Sequence, residues 1–119
     1  MKVLITDDSK AMRMIVKRTL RQAGYDFEVV EATDGAEGLE AVKTHSPDLV
    51  LSDWNMPNMS GLEFLQALKA EDIDVKFGFV TSEGTAEMRE LASTNGALFL
   101  ISKPFTKENF QDALAPVLA

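Results

Sequence analysis

The chain contains 119 residues and no cysteine, and its 12 lysines and arginines against 19 aspartates and glutamates give a formal net charge of −7. This length fits one domain over residues 1–119, and the lack of cysteine excludes disulfides and thiolate metal sites. The acidic balance argues against nucleic-acid binding, and no apolar run approaches the roughly 18 residues of a membrane span. With no signal-peptide pattern either, we expect a soluble, monomeric, cytoplasmic protein.

The first half of the chain predicts two strands and two helices. An apolar run at 2–6 is followed by Ser9, which is placed to cap a helix that Gly24 ends. A second strand is predicted at 27–32 and a second helix at 34–43, before a Ser-Pro break. The first helix has apolar residues on one face at Met12, Ile15, Val16, Leu20 and Ala23.

The second half repeats this alternation with three more strands and three more helices. The strands are predicted at 48–52, 76–81 and 97–102, and the helices after Ser60, at 85–94 and after Thr106. Gly78 interrupts the fourth strand and suggests a closely packed helix. Pro116 lies inside the last helix and predicts that it kinks or ends early.

The strands are mostly continuous apolar runs, which are typical of a parallel sheet buried on both faces. Helices that alternate with such strands cover both faces of the sheet, because the crossovers are right-handed. The sequence therefore predicts an α/β protein with three layers.

Polar residues stand at the ends of four predicted strands. Asp7 and Asp8 follow the first strand, Asp53 the third, Thr81 ends the fourth and Lys103 follows the fifth. Ligands of open parallel sheets bind at the carboxyl ends of the strands. Carboxylates this close together repel one another unless they are protonated or neutralised by a cation, and oxygen ligands favour a hard ion such as Mg²⁺. An aspartate nucleophile beside Mg²⁺, lysine and threonine is the equipment for phosphoryl transfer.

At these residues the sequence resembles the receiver domains of bacterial two-component systems. The stretch SDWNMPNM at 52–59, followed by Gly61-Leu62-Glu63, is similar to the single-domain chemotaxis regulators in particular, and the resemblance covers the whole chain. It implies a flavodoxin-like sandwich with five parallel strands in the order 2-1-3-4-5. It also implies a phosphorylation-dependent signalling switch, not a dedicated enzyme, that receives a phosphoryl group from a sensor histidine kinase.

The resemblance assigns roles to the acidic residues. Asp53 is the implied phosphoryl acceptor. Asp8 and Asp53 bind Mg²⁺ directly together with the backbone carbonyl of Asn55, and Asp7 acts through metal-bound water. In the family the residue two after the acceptor, here Asn55, tunes how long the phosphate lasts.

The other implied roles concern the phosphoryl group and the switch. Lys103 contacts the phosphoryl oxygens, Thr81 turns its hydroxyl toward the phosphate, Ser82 keeps access open, and Glu83 tunes the phosphate lifetime. The family usually has an aromatic switch residue three positions before the lysine, where this chain has Leu100.

The neighbouring Phe99 has the opposite strand parity, so it should face the other side of the sheet. The surface of helix 4, strand 5 and helix 5 is the implied contact for a downstream target, either the flagellar motor switch or another protein.

Three other functions remain open from the sequence. A phosphatase of the haloacid dehalogenase type also uses an aspartate and Mg²⁺, but it needs a second aspartate where Asn55 stands. A flavodoxin-like FMN carrier needs a phosphate loop where Asp7 and Asp8 would repel the phosphate. An unphosphorylated scaffold would not need the complete acidic set. Trp54 either contacts partners or shields the acceptor loop.

Overall fold

Five β–α units follow one another in residues 1–118, which the computed structural model describes; Ala119, the end of the predicted domain range, lies outside the described residues. The strands are β1 (Lys2–Thr6), β2 (Glu28–Ala32), β3 (Leu49–Ser52), β4 (Lys76–Thr81) and β5 (Phe99–Ser102). The helices are α1 (Lys10–Gln22), α2 (Gly35–His45), α3 (Gly61–Ala70), α4 (Ala86–Thr94) and α5 (Lys107–Leu118). All ten predicted elements are present, and their bounds differ from the prediction by at most two residues.

The five strands form one parallel sheet in the order β2-β1-β3-β4-β5, as the resemblance implied. Alternate residues of each central strand enter two separate apolar clusters. Leu4 lies in the cluster with α2, α3 and α4, whereas Val3 and Ile5 lie in the cluster with α1 and α5. The predicted three-layer α/β/α sandwich is therefore confirmed. Within the described residues, no helix is both long enough and apolar enough to cross a bilayer.

Each helix begins at a side-chain cap soon after a strand end or connecting loop. The capping residues accept a hydrogen bond from the backbone N–H three residues later, and they are Ser9, Asp34, Ser60, Thr85 and Thr106. The first four N–H groups of a helix have no partner inside the helix. A side chain that accepts from one of them therefore favours a helix start at that position. These caps thereby fix the short loops at the carboxyl edge of the sheet.

Two details differ from the sequence prediction. α5 continues two residues beyond Pro116, so the prediction of an early end is wrong. Proline disfavours a helix interior, but Pro116 lies in the last turn, which is tied to β4 because Lys76 Nζ donates to the Val117 carbonyl at 2.8 Å. Ile15 is 43% exposed rather than buried, because the buried stripe of α1 is centred on Val16 and Leu20 and Ile15 lies at its edge.

The role of Gly78 is explained by the adjacent strand and not by a helix. Gly78 pairs with Phe99 across β4 and β5, and a Cβ at this glycine would overlap the Phe99 ring. Phe99 packs into the α1–α5 cluster, whereas Leu100 packs into the cluster with α4. The predicted parity of these two residues is confirmed, and the expected close helix is replaced by an aromatic ring.

Replacing Gly78 with alanine should lower the free energy of unfolding by about 1–3 kcal/mol, since overpacking forces the Phe99 ring to move. In a Phe99→Ala background the same substitution should cost little, because the space is then open. Chemical denaturation of the four proteins of this double-mutant cycle measures the coupling. An equal cost of Gly78→Ala in both backgrounds would contradict the proposed contact.

Candidate functional site

The carboxyl ends of β1 and β3 bring three aspartates together. Carboxylate oxygens of Asp7, Asp8 and Asp53 all lie within 4.8 Å of one another. Asp7 is 4% exposed, the Asp53 side chain is 13% exposed, and Asp8 faces solvent. Backbone hydrogen bonds extend the sheet past its last residues, because Asp53 N–H donates to the Thr6 carbonyl at 2.9 Å. The sheet therefore holds the aspartates close together despite their like charge.

Lys103 joins two of these carboxylates from the end of β5. Its Nζ lies 3.1 Å from Asp7 Oδ2 and 3.3 Å from Asp53 Oδ2. Its backbone N–H donates to the Thr81 carbonyl at 2.8 Å, which fixes the start of the side chain. The ammonium therefore reaches across the end of the sheet and offsets part of the acidic charge.

The charge state of Asp53 depends on several opposing influences. Burial raises the pKa of the Asp53 carboxyl above its ordinary value, and the nearby Asp7 charge adds to this. The Lys103 ammonium and the Trp54 N–H, which donates to Asp53 Oδ1 at 2.7 Å, lower that pKa and oppose the effect of burial. A second cation beside Asp53 would therefore favour its ionised form.

The donor set of the site suits a hard divalent cation. Three carboxylates and one ammonium leave an excess of negative charge. The three side chains offer only oxygen atoms as ligands, which hard cations prefer over soft ones. Asp7 already uses both oxygens, since Oδ1 accepts from Ser9 N–H at 2.9 Å and Oδ2 accepts from Lys103. Asp53 is engaged in the same way, because Oδ1 accepts from Trp54 N–H and Oδ2 accepts from Lys103, so the exposed Asp8 is the most accessible of the three to a metal.

The predicted tuning residues lie on two loops that contact each other. Asn55 Nδ2 donates to Glu83 Oε1 at 3.2 Å, which joins the loop after β3 to the loop after β4. Thr81 is fully buried, and its Oγ1 accepts from the Glu83 backbone N–H at 3.3 Å. Ser82 is exposed. These polar side chains thus lie on connected loops at the edge of the sheet where the aspartates meet.

Two predicted residues lie away from the polar cluster. Leu100 packs in the apolar layer beside α4. Trp54 is 9% exposed and packs on Phe79 with ring centroids 4.6 Å apart, although its backbone contacts Asp53. Trp54 therefore belongs to the core next to Asp53 and has little surface to offer a partner.

Sequence reasoning missed residues that support the site from outside it. Arg13 Nη1 donates to the Asp7 carbonyl at 2.6 Å and its Nε pairs with Glu31 at 2.9 Å. Asp34 accepts from the Asn58 amide at 2.8 Å, although the sequence predicted only the start of the second helix there. No motif spacing connects Asp34 with Asn58, which are 24 residues apart.

Comparisons with known proteins agree with this geometry. The model of the response regulator receiver domain family matches residues 3–115. The "Chemotaxis protein CheY homolog" of Campylobacter jejuni is 38% identical, over 99% of this chain and 92% of that protein. The "Probable chemotaxis protein CheY" of Rhizobium etli is 35% identical, over 98% of this chain and 91% of that protein.

A solved structure shows the same similarity in three dimensions. The Vibrio cholerae chemotaxis protein CheY4 is 35% identical with a TM-score of 0.84, over 98% of this chain and 97% of that chain. The family match favours a receiver over a phosphatase or a flavin carrier. The chain therefore belongs to the response regulator receiver domain family, and it is a CheY-like signalling switch rather than a dedicated enzyme.

Proposed function

We propose that Asp53 accepts a phosphoryl group from the phosphohistidine of a sensor histidine kinase. The observation that supports this most strongly is the convergence of Asp7, Asp8 and Asp53 with the Lys103 ammonium at one edge of the sheet. In the transfer, an Asp53 oxygen forms a bond to phosphorus while the bond between phosphorus and the histidine nitrogen breaks. The product is an acyl phosphate on Asp53 and a histidine without its phosphoryl group.

Mg²⁺ is the proposed cofactor, and its ligands would be Asp8, Asp53 and the backbone carbonyl of Asn55. When bound, it would offset the charge of the phosphoryl oxygens. Asp7, the most buried of the three aspartates, would act through water. Lys103 would exchange its contact with Asp53 for the phosphoryl oxygens.

The proposed output depends on Thr81 and on the face formed by α4, β5 and α5. Thr81 ends β4 beside the acceptor strand, where its hydroxyl can turn toward the phosphoryl group. Arg89, Ser102 and Asp112 help to line a groove of about 500 Å³ on that face. We propose that a downstream protein binds there to a monomeric, cytoplasmic receiver, and that the target is the flagellar motor switch or another protein of a two-component pathway. The chemotaxis names of the relatives support a chemotaxis pathway.

Acetyl phosphate, a small phosphoryl donor, should phosphorylate wild-type protein only when Mg²⁺ is present. Asp53→Asn should abolish the adduct, because the amide is a poor nucleophile. Intact-mass spectrometry measures the added phosphate, and Asp48→Asn provides a matched control on an exposed aspartate just before β3. An adduct of unchanged yield in Asp53→Asn would refute the assignment of the acceptor.

Lys103→Ala should leave Mg²⁺ affinity equal or higher, because it removes a positive charge from an acidic site. It should weaken partner binding by the phosphorylated form, since the ammonium no longer holds the phosphoryl oxygens. Calorimetry measures the first quantity and partner affinity with beryllofluoride, a phosphate mimic, measures the second. Lys107→Ala, at an exposed position in α5, is the control. Normal activation of Lys103→Ala would contradict this role.

Thr81→Ala should remove most of the activation, whereas Leu100→Ala should keep most of it. Leucine has no hydroxyl that could form a different hydrogen bond in either state, so its two rotamers should differ little in free energy. Partner affinity is measured with and without beryllofluoride for wild type and both variants. The reverse ranking would identify Leu100 as the working switch.

A further inference from the structure

The loop at residues 53–59, which we call the acceptor loop, is held from two sides. On the solvent side, the exposed Asn55 amide bonds to Glu83. On the other side, the Asn58 Nδ2 donates to Asp34 Oδ2 at 2.8 Å, and the Gly35 N–H donates to the Met59 carbonyl at 3.0 Å. The turn between β2 and α2 therefore fixes the far end of the acceptor loop.

Asp34 connects this loop to the start of α2 with a single carboxylate. Asp34 is 7% exposed, and its Oδ1 accepts from the Glu37 N–H at 2.8 Å while its Oδ2 accepts from Asn58. The hydrogen bonds from Glu37 and then from Asn58 lower the pKa of Asp34, so the carboxylate stays ionised near neutral pH. A hydrogen bond to a charged acceptor is stronger than one between neutral groups.

The backbone at Asn58 needs this support. Asn58 has φ of 65°, in the left-handed region that few residues other than glycine and asparagine adopt. The end of the loop is also tightly packed, because a Cβ on Gly35 would lie 2.7 Å from Met59 Cγ and 2.8 Å from Met59 O. The Asn58 side chain therefore stabilises a chain reversal, and the packed contact at Gly35 prevents that reversal from shifting toward α2.

We propose that Asp34 and Asn58 are positioning residues for the metal site, which hold the acceptor loop ready before the metal binds. This inference rests on the proposed function, because the Asn55 carbonyl in the same loop is a proposed Mg²⁺ ligand. A loop that is already ordered loses less conformational entropy when it binds an ion, so the pair should raise the affinity for Mg²⁺. Neither residue is a proposed metal ligand in this role, since Asn58 lies near the far end of the acceptor loop and Asp34 bonds to it there.

Three variants separate positioning from charge. Asn58→Gly keeps access to the left-handed backbone and removes the amide together with the rest of the side chain, and it also adds backbone freedom, for which the exchanged pair is the control. Asn58→Asp places a second carboxylate against Asp34. The exchanged pair Asp34→Asn with Asn58→Asp restores one donor and one acceptor, and it keeps the α2 cap because asparagine caps as well as aspartate.

The sign of the effect distinguishes the two explanations. By charge alone, an added carboxylate near a cation site should strengthen Mg²⁺ binding. Loss of positioning should instead weaken Mg²⁺ binding by about tenfold in Asn58→Gly and in Asn58→Asp, as for partners of metal ligands in general. Asn109→Asp adds the same charge on α5, where the carboxylate can keep the bond to Thr106 N–H, and serves as the control.

Calorimetry and the fluorescence of the single tryptophan, Trp54, measure Mg²⁺ affinity. The Gly35 N–H donates to the Met59 carbonyl at the end of the acceptor loop. Its amide exchange rate in metal-free protein therefore measures the order of the loop without any metal. We expect faster exchange and weaker binding in both single variants, and recovery to within about twofold of wild type in the exchanged pair. Thermal unfolding shows whether each variant is folded at the temperature of measurement.

Unchanged Mg²⁺ affinity in Asn58→Gly, tighter binding in Asn58→Asp, or no recovery in the exchanged pair would each overturn the positioning role. A wild-type protein that fails to bind Mg²⁺ would instead refute the metal site of the proposed function. The two failures are therefore distinguishable in one set of titrations.

Discussion

The repulsion among Asp7, Asp8 and Asp53 is the constraint on which this structure depends. Three carboxylates within 4.8 Å of one another are costly, and burial of Asp53 raises that cost because charge is poorly solvated inside a protein. Lys103, which follows β5 at the same edge of the sheet, offsets part of the repulsion. The negative charge that remains favours a cation at this edge of the sheet.

A rigid sheet makes this arrangement possible. β1 and β3 are buried on both faces, and backbone hydrogen bonds continue past their last residues to hold Asp7 and Asp53. Protein interiors are close-packed, so the backbone at Asp7 and Asp53 cannot move apart without disturbing the core below it. Trp54, which follows Asp53, packs on Phe79, and both rings belong to the apolar cluster with α3.

The loops around the site are linked to one another as well as to the sheet. Asn55 bonds to Glu83 across the acceptor loop and the loop after β4, while Asn58 bonds to Asp34 after β2. The Glu83 N–H donates in turn to Thr81 Oγ1, which extends the first of these links to the end of β4. In this chain Phe99 is locked over Gly78 on the opposite face, so the aromatic ring of β5 is packed against the α1–α5 layer.

The sequence by itself determined the alternation of elements, the caps and the four strand ends that carry the site, because apolar period and capping chemistry are local properties. The convergence of Asp7, Asp53 and Lys103 also followed, since parallel strands must end at one edge. Only the tertiary structure decided the exposure of Ile15, the ring over Gly78, the burial of Trp54 and the pairing of Asp34 with Asn58. These features depend on which side chains meet across elements far apart in the chain, and local periodicity carries no information about such contacts.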